Sequence, residues 1–183
     1  LDAAGDPLER APLGTALERE LRAIDFRWLR GVCEAAGCEG LSEVNLWAGM
    51  SGGCTPLHHD TMQNFLCQVA GTKRLLLFAP SQTARLYPYP AGHPMSAFAM
   101  ADVEAPDTRR FPAFARAAGL EATLQPGEGL FLPSHYWHYV RQAEGGETIS
   151  LNFWAGARKS ERADAMLRAE RAAPPCPPAA VAA

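Results

Sequence analysis

His58 and Asp60 stand two residues apart in a strand-like stretch, and a third candidate, His138, follows a Gly/Pro turn much later in the chain. Side chains at i and i+2 lie on one face of a strand, so this imidazole and carboxylate can approach one ion from the same side. His138, from a later strand, completes the set. Two histidines and one carboxylate leave three coordination positions open, which lets Fe(II) take a chelating co-substrate and dioxygen together. The spacing is also met where the histidine is a satisfied barrel residue and the aspartate belongs to a turn. His59 competes for the role, but alternation turns it to the opposite face. His93 and His135 fall in proline-containing loops, where surface or structural roles are expected.

Other polar residues keep company with this triad. Lys73 opens an apolar strand-like run, and a buried cation is costly unless an anion meets it. A dicarboxylic co-substrate supplies that anion, whereas a solvated hairpin lysine needs none. Thr55, three residues before His58, can donate its hydroxyl to the same carboxylate. Asn64 and Asn152 interrupt the apolar stretches NFLCQVA and ISLNFW. Buried amides need partners, which a metal-bound ligand, water or a structural network provides.

The elements that must position these residues follow from hydrophobic period. Leu17, Leu21, Ile24, Trp28 and Val32 recur at helical spacing between a Thr15 cap and a Gly37 stop, and are expected to pack into the core. From Leu41 the period falls to two, predicting a strand to Met50. A second strand runs from Thr55 into Asp60. Asn64–Ala70 and Lys73–Phe78 flank Gly71–Thr72 as a hairpin pattern. Residues 80–119 are rich in proline and aromatics, a long irregular insertion. Strands return at Glu121–Gln125, Leu130–Pro133, Trp137–Arg141 and Thr148–Trp154. A polar helix is expected over 158–172 and a disordered tail over 173–183. Many short strands between Gly/Pro turns predict a barrel-like, mainly β domain over residues 15–157.

Composition bounds the partners. The chain has 183 residues and is 48% hydrophobic, enough for one cored domain. Its net charge of −3 and scattered basic residues argue against general nucleic-acid binding. No apolar run has the length of a membrane span. Five cysteines without a CxxC pair suggest reduced thiols and a cytoplasmic or nuclear setting, with a zinc site at Cys33 and Cys38 the lesser alternative. The chain opens on Leu1 rather than Met, as a piece of a longer protein would.

The stretches TPLHHDTMQNFLCQVAGTKRLLLFAP, LYPYPAGHP, RFPAF, PGEGLFLPSHYWHYV and SLNFW resemble the JmjC-type, cupin-like hydroxylases, and among them the asparaginyl hydroxylases. The likeness covers roughly residues 44–155. It implies a double-stranded β-helix, or jelly roll. It implies His58, Asp60 and His138 as Fe(II) ligands, Lys73 and Thr55 as anchors of the far carboxylate of 2-oxoglutarate, and Asn64 and Asn152 near its metal-bound end. It places Trp154 beside the substrate channel. It further implies a dioxygenase that hydroxylates a side chain of a protein or peptide. A histone lysine demethylase or a non-catalytic cupin-like module is the alternative. Ala97 and Phe98 stand where the family has an Arg–Gln pair that holds a target asparagine. The family's co-substrate tyrosine has no counterpart in residues 1–16, and the paired C-terminal helices that form a homodimer are shortened to one.

Overall fold

The computed structural model describes residues 26–35 and 38–157. Among them eight strands form two four-stranded antiparallel sheets: β1 (Cys38–Met50), β2 (Cys54–His59), β3 (Gln63–Ala70), β4 (Lys73–Phe78), β5 (Leu120–Leu124), β6 (Gly129–Leu132), β7 (Trp137–Gln142) and β8 (Glu147–Ala157). One sheet has the order β1-β8-β3-β6, the other β2-β7-β4-β5. The chain changes sheet at every connection except β4–β5. This is the jelly roll that the family resemblance implies, and it agrees with the barrel-like β domain expected from the strand-and-turn pattern.

Alternation along each strand sorts its residues between two environments. The inward faces meet in a core of Leu66 and Leu132 from the first sheet and Leu75, Leu77 and Leu124 from the second. Outside the first sheet lies α1 (Phe26–Ala35), which packs Leu29 and Cys33 against Phe153 and Ala155. Outside the second sheet, Leu57, Phe78, Trp137 and Tyr139 are covered by Leu86 and Phe114 of the 80–119 insertion. Trp137 is fully buried there, and its indole N–H donates to Thr83 Oγ1 at 2.8 Å. Thr83 starts the short helix α2 (Thr83–Leu86), so one hydrogen bond ties the insertion to β7.

Two expectations are corrected. Asn64–Ala70 and Lys73–Phe78 do not form a hairpin: β3 and β4 belong to different sheets. Gly71, at φ 67°, turns the chain from one sheet to the other. Adjacent β runs across a short Gly turn read alike in sequence, because period two records a strand's faces and not its neighbours. In α1 the buried positions are Leu29 and Cys33, whereas Trp28 is 55% exposed. The apolar stripe is therefore rotated by one residue from the expected one. Leu17, Leu21 and Ile24 lie outside the described residues, as do the Gly37 stop, the 158–172 helix and the tail. Cys33 and Cys38, weighed as zinc ligands, lie in the apolar cluster beneath α1.

Candidate metal centre

β2 and β7 run side by side in the second sheet, and their pairing sets His58 opposite His138. The ring centroids are 4.1 Å apart. Trp137 and Tyr139 are locked into the outer core, so alternation turns His138 inward. His59, opposite Trp137, points outward with its ring 4.6 Å from the indole, and is not in the cluster.

Thr55 and His58 are three residues apart, a spacing that in a regular strand places them on opposite faces. Their partners Val140 and His138 are only two apart on β7, and the register shifts between the two pairs. One extra residue on β2 forms a bulge, which returns both side chains to the inward face. Asp60 follows the last residue of β2 rather than lying within it. Its carbonyl accepts the His135 N–H at 2.7 Å, so the turn before β7 holds it in place. Gln63 Oε1 accepts the Ser134 N–H at 2.8 Å and braces the same turn.

His58, Asp60 and His138 thus offer ligand atoms within 4.8 Å of one another. The Nδ1–H of His58 donates to the Pro56 carbonyl at 2.8 Å, and that of His138 to the Tyr136 carbonyl at 3.0 Å. Both bonds fix the tautomer that leaves a lone pair on Nε2 for an ion. Burial, and after it the neighbouring His58, pushes His138 down to about 3. Its 3.6 Å approach to Asp60 is therefore a contact of neutral imidazole and carboxylate, not an ion pair.

Lys73, on the inward face of β4, is 6% exposed and donates to Ser150 Oγ on β8 at 2.5 Å. Burial lowers its pKa. No carboxylate pairs with it among the described residues. Asn64 and Asn152 are buried on inward positions of β3 and β8, and among the described residues the Oδ1 of each lacks a protein partner, as does the indole nitrogen of Trp154. Two metal-ready imidazoles, a carboxylate, a buried cation without an anion and three unsatisfied polar atoms facing inward fit an ion with a chelating dianion beside it.

The sequence left Ser150 unmarked and did not place Phe98 against the triad. Ser150 precedes Asn152 and Trp154 at the same inward period, a signal that could have found it. The contact of Phe98 with His58 has no such periodic signal. The insertion returns to β2 as an added edge, with Ala99 N–H donating to the Leu57 carbonyl at 2.9 Å and His59 N–H to the Ala97 carbonyl at 3.0 Å. Phe98 pairs with His58 and stacks on its ring at 5.3 Å. His93 is exposed and stacks on Tyr89, away from the triad. His135 adopts φ 61° in the turn that holds Asp60. No described helix is long and apolar enough to cross a membrane.

The cupin-like domain profile matches residues 10–157. Over 138 residues the chain is 38% identical to lysine-specific demethylase 8 of Danio rerio, covering 75% of this chain and 32% of that protein. It is 42% identical over 99 residues to JmjC domain-containing protein D of Dictyostelium discoideum, covering 54% and 22%. It is 42% identical over 114 residues to human HSPB1-associated protein 1, covering 61% and 23%. The chain therefore spans no more than 32% of the length of these relatives. With its jelly roll, its His-Asp-His cluster and these matches, the chain belongs to the cupin-like family of JmjC domains.

Proposed function

We propose that this chain is the catalytic core of an Fe(II)- and 2-oxoglutarate-dependent oxygenase that hydroxylates a side chain of a protein substrate. One observation carries the reading: the His58, Asp60 and His138 ligand atoms converge inside a barrel that also buries Lys73 with no carboxylate partner among the described residues. When bound, the ion and 2-oxoglutarate supply the oxidising chemistry, in which dioxygen and 2-oxoglutarate become succinate, carbon dioxide and one oxygen atom inserted into a C–H bond.

The protein's own groups do the rest. His58 and His138 present their Nε2 atoms to the ion, and Asp60 adds the carboxylate that a divalent cation favours. Lys73, with Thr55 on an inward position of the same sheet, grips the far carboxylate. The amides of Asn64 and Asn152 face the chelating end. Trp154 and Phe98 border the path of the substrate side chain and keep water from it. Reduced thiols and a protein partner suit a cytoplasmic or nuclear enzyme.

Within the hydroxylases, the motifs resemble those of the asparaginyl hydroxylase called factor inhibiting HIF. Ala97 and Phe98 replace its Arg–Gln pair, so a target other than asparagine is expected. A second reading, removal of N-methyl groups from lysine, is favoured by the relative named lysine-specific demethylase 8. Incubation with Fe(II), 2-oxoglutarate and a peptide library tests these readings. Iron-dependent succinate with a peptide gain of one oxygen atom supports hydroxylation, and formaldehyde with loss of a methyl group supports demethylation. No succinate from folded protein makes the chain a binding module.

A further inference from the structure

The inward face of β7 continues past His138 and Val140 to Gln142, which pairs directly with Lys73 on β4. The two side chains share one face and begin about 5 Å apart. Lys73 crosses the barrel to Ser150 on β8. Gln142 crosses beside it to β1, where a Cβ on Gly49 would lie 2.5 Å from its Nε2. Ser150 faces Trp47 on β1, and Gly49 is the next inward position along that strand. The ammonium and the carboxamide therefore land at neighbouring places on the opposite sheet.

The carboxamide has a built seat. A Cβ at Gly53 would also crowd it, at 3.2 Å from Oε1. Backbone bonds hold the residue to the β1–β2 turn: Gln142 N–H donates to the Gly53 carbonyl at 2.9 Å, and Gly52 N–H to the Gln142 carbonyl at 3.3 Å. Yet Oε1 is buried without a partner among the described residues. A half-turn of the amide exchanges its oxygen and nitrogen, so this seat can aim an NH2 group inward. A glutamine kept between two glycines and left unsatisfied beside an unpaired cation points to a ligand that both contact.

We propose that Gln142 is a second anchor for the far carboxylate of 2-oxoglutarate, donating from its amide while Lys73 supplies the charge. This rests on the co-substrate reading above. Gln142 sets the length of acid that is accepted, because it closes the floor two inward positions below His138.

The test is calorimetric titration of the anaerobic, Mn(II)-loaded chain with 2-oxoglutarate and with 2-oxovalerate, which has the same carbon chain without the far carboxylate. Gln142→Met keeps the volume and removes the amide. It is expected to weaken 2-oxoglutarate about tenfold or more, the effect of one hydrogen bond to a charged group. Affinity for 2-oxovalerate and Mn(II) should stay as in the wild type. Gly49→Ala, which displaces the amide from its seat, should show the same selective loss. The proposal is overturned if Gln142→Met binds 2-oxoglutarate like the wild type, or if both acids weaken equally, as a structural role would give. A wild-type chain that binds Mn(II) but not 2-oxoglutarate overturns the co-substrate reading itself.

Discussion

Each imidazole of the triad is oriented by a carbonyl two residues before it, Pro56 for His58 and Tyr136 for His138. Asp60 has no such local clamp on its carboxylate, which is partly exposed and free to follow an ion. Asp60→Ala should therefore abolish Fe(II) or Mn(II) binding while the melting temperature of the metal-free protein stays within a few degrees. Retained metal affinity would show that the ligand lies elsewhere. Proton linkage gives a second residue-scale prediction. Burial lowers His138 to about 3, His59 to about 4 through burial and then His135, and His135 itself. Unfolding raises these groups towards the ordinary histidine value near 6.5. The unfolded chain thus binds more protons in the window between, so stability is full above pH 6.5 and falls as pH drops towards 4. Each unit of lowering corresponds to about 1.4 kcal/mol. Thermal melts of metal-free protein across pH 7 to 4.5 should decline steadily, and a flat profile would contradict the burial argument.

At the scale of elements, two irregularities hold the site together. The bulge in β2 brings Thr55 and His58 to one face, and the crossover at Gly71 delivers Lys73 to the sheet opposite Ser150. Gln68 steadies the crossover, its amide nitrogen donating to the Ala70 carbonyl at 2.6 Å and to Thr148 Oγ1 at 2.9 Å. Gly71 lies at φ 67°, and a Cβ there would come 2.4 Å from the Glu147 carbonyl oxygen. Both the positive φ and the contact with backbone reject a side chain. Gly71→Ala is expected to destabilise by about 2 kcal/mol or more, measured by urea denaturation. A change under about 0.5 kcal/mol would mean that the crossover tolerates another path.

For the whole molecule, the site is a bridge between the two sheets: the triad hangs from the second sheet, and Ser150, Asn152 and Asn64 stand on the first. A ligand that contacts both must stabilise the barrel, because it binds only when they are packed. Mn(II) followed by 2-oxoglutarate at about a hundred times its Kd should add about 2.7 kcal/mol from the acid, a rise of roughly 5–10 °C in Tm. In Lys73→Ala the increment from the metal should remain and that from 2-oxoglutarate should vanish. Loss of both together would make Lys73 a structural residue instead.

The sequence by itself determined the eight-strand pattern, a barrel-like β domain and the candidate residues, because these are written in local alternation and in residue type, while the jelly-roll class came from the resemblance of its motifs to a family. Thr55, His58, Asp60, Asn64, Lys73, His138, Asn152 and Trp154 are all legible in residue type, spacing and the motifs around them. Tertiary structure decided which strands are neighbours, so the supposed hairpin of β3 and β4 became a passage between sheets. It decided that α1 buries Leu29 and Cys33 rather than Trp28. It also brought Phe98 to His58 and set Gln142 beside Lys73, pairings between residues at least forty apart. Period two records which side of a strand is wet, but long-range partners are chosen by closure of the barrel, and that information is spread over the whole chain.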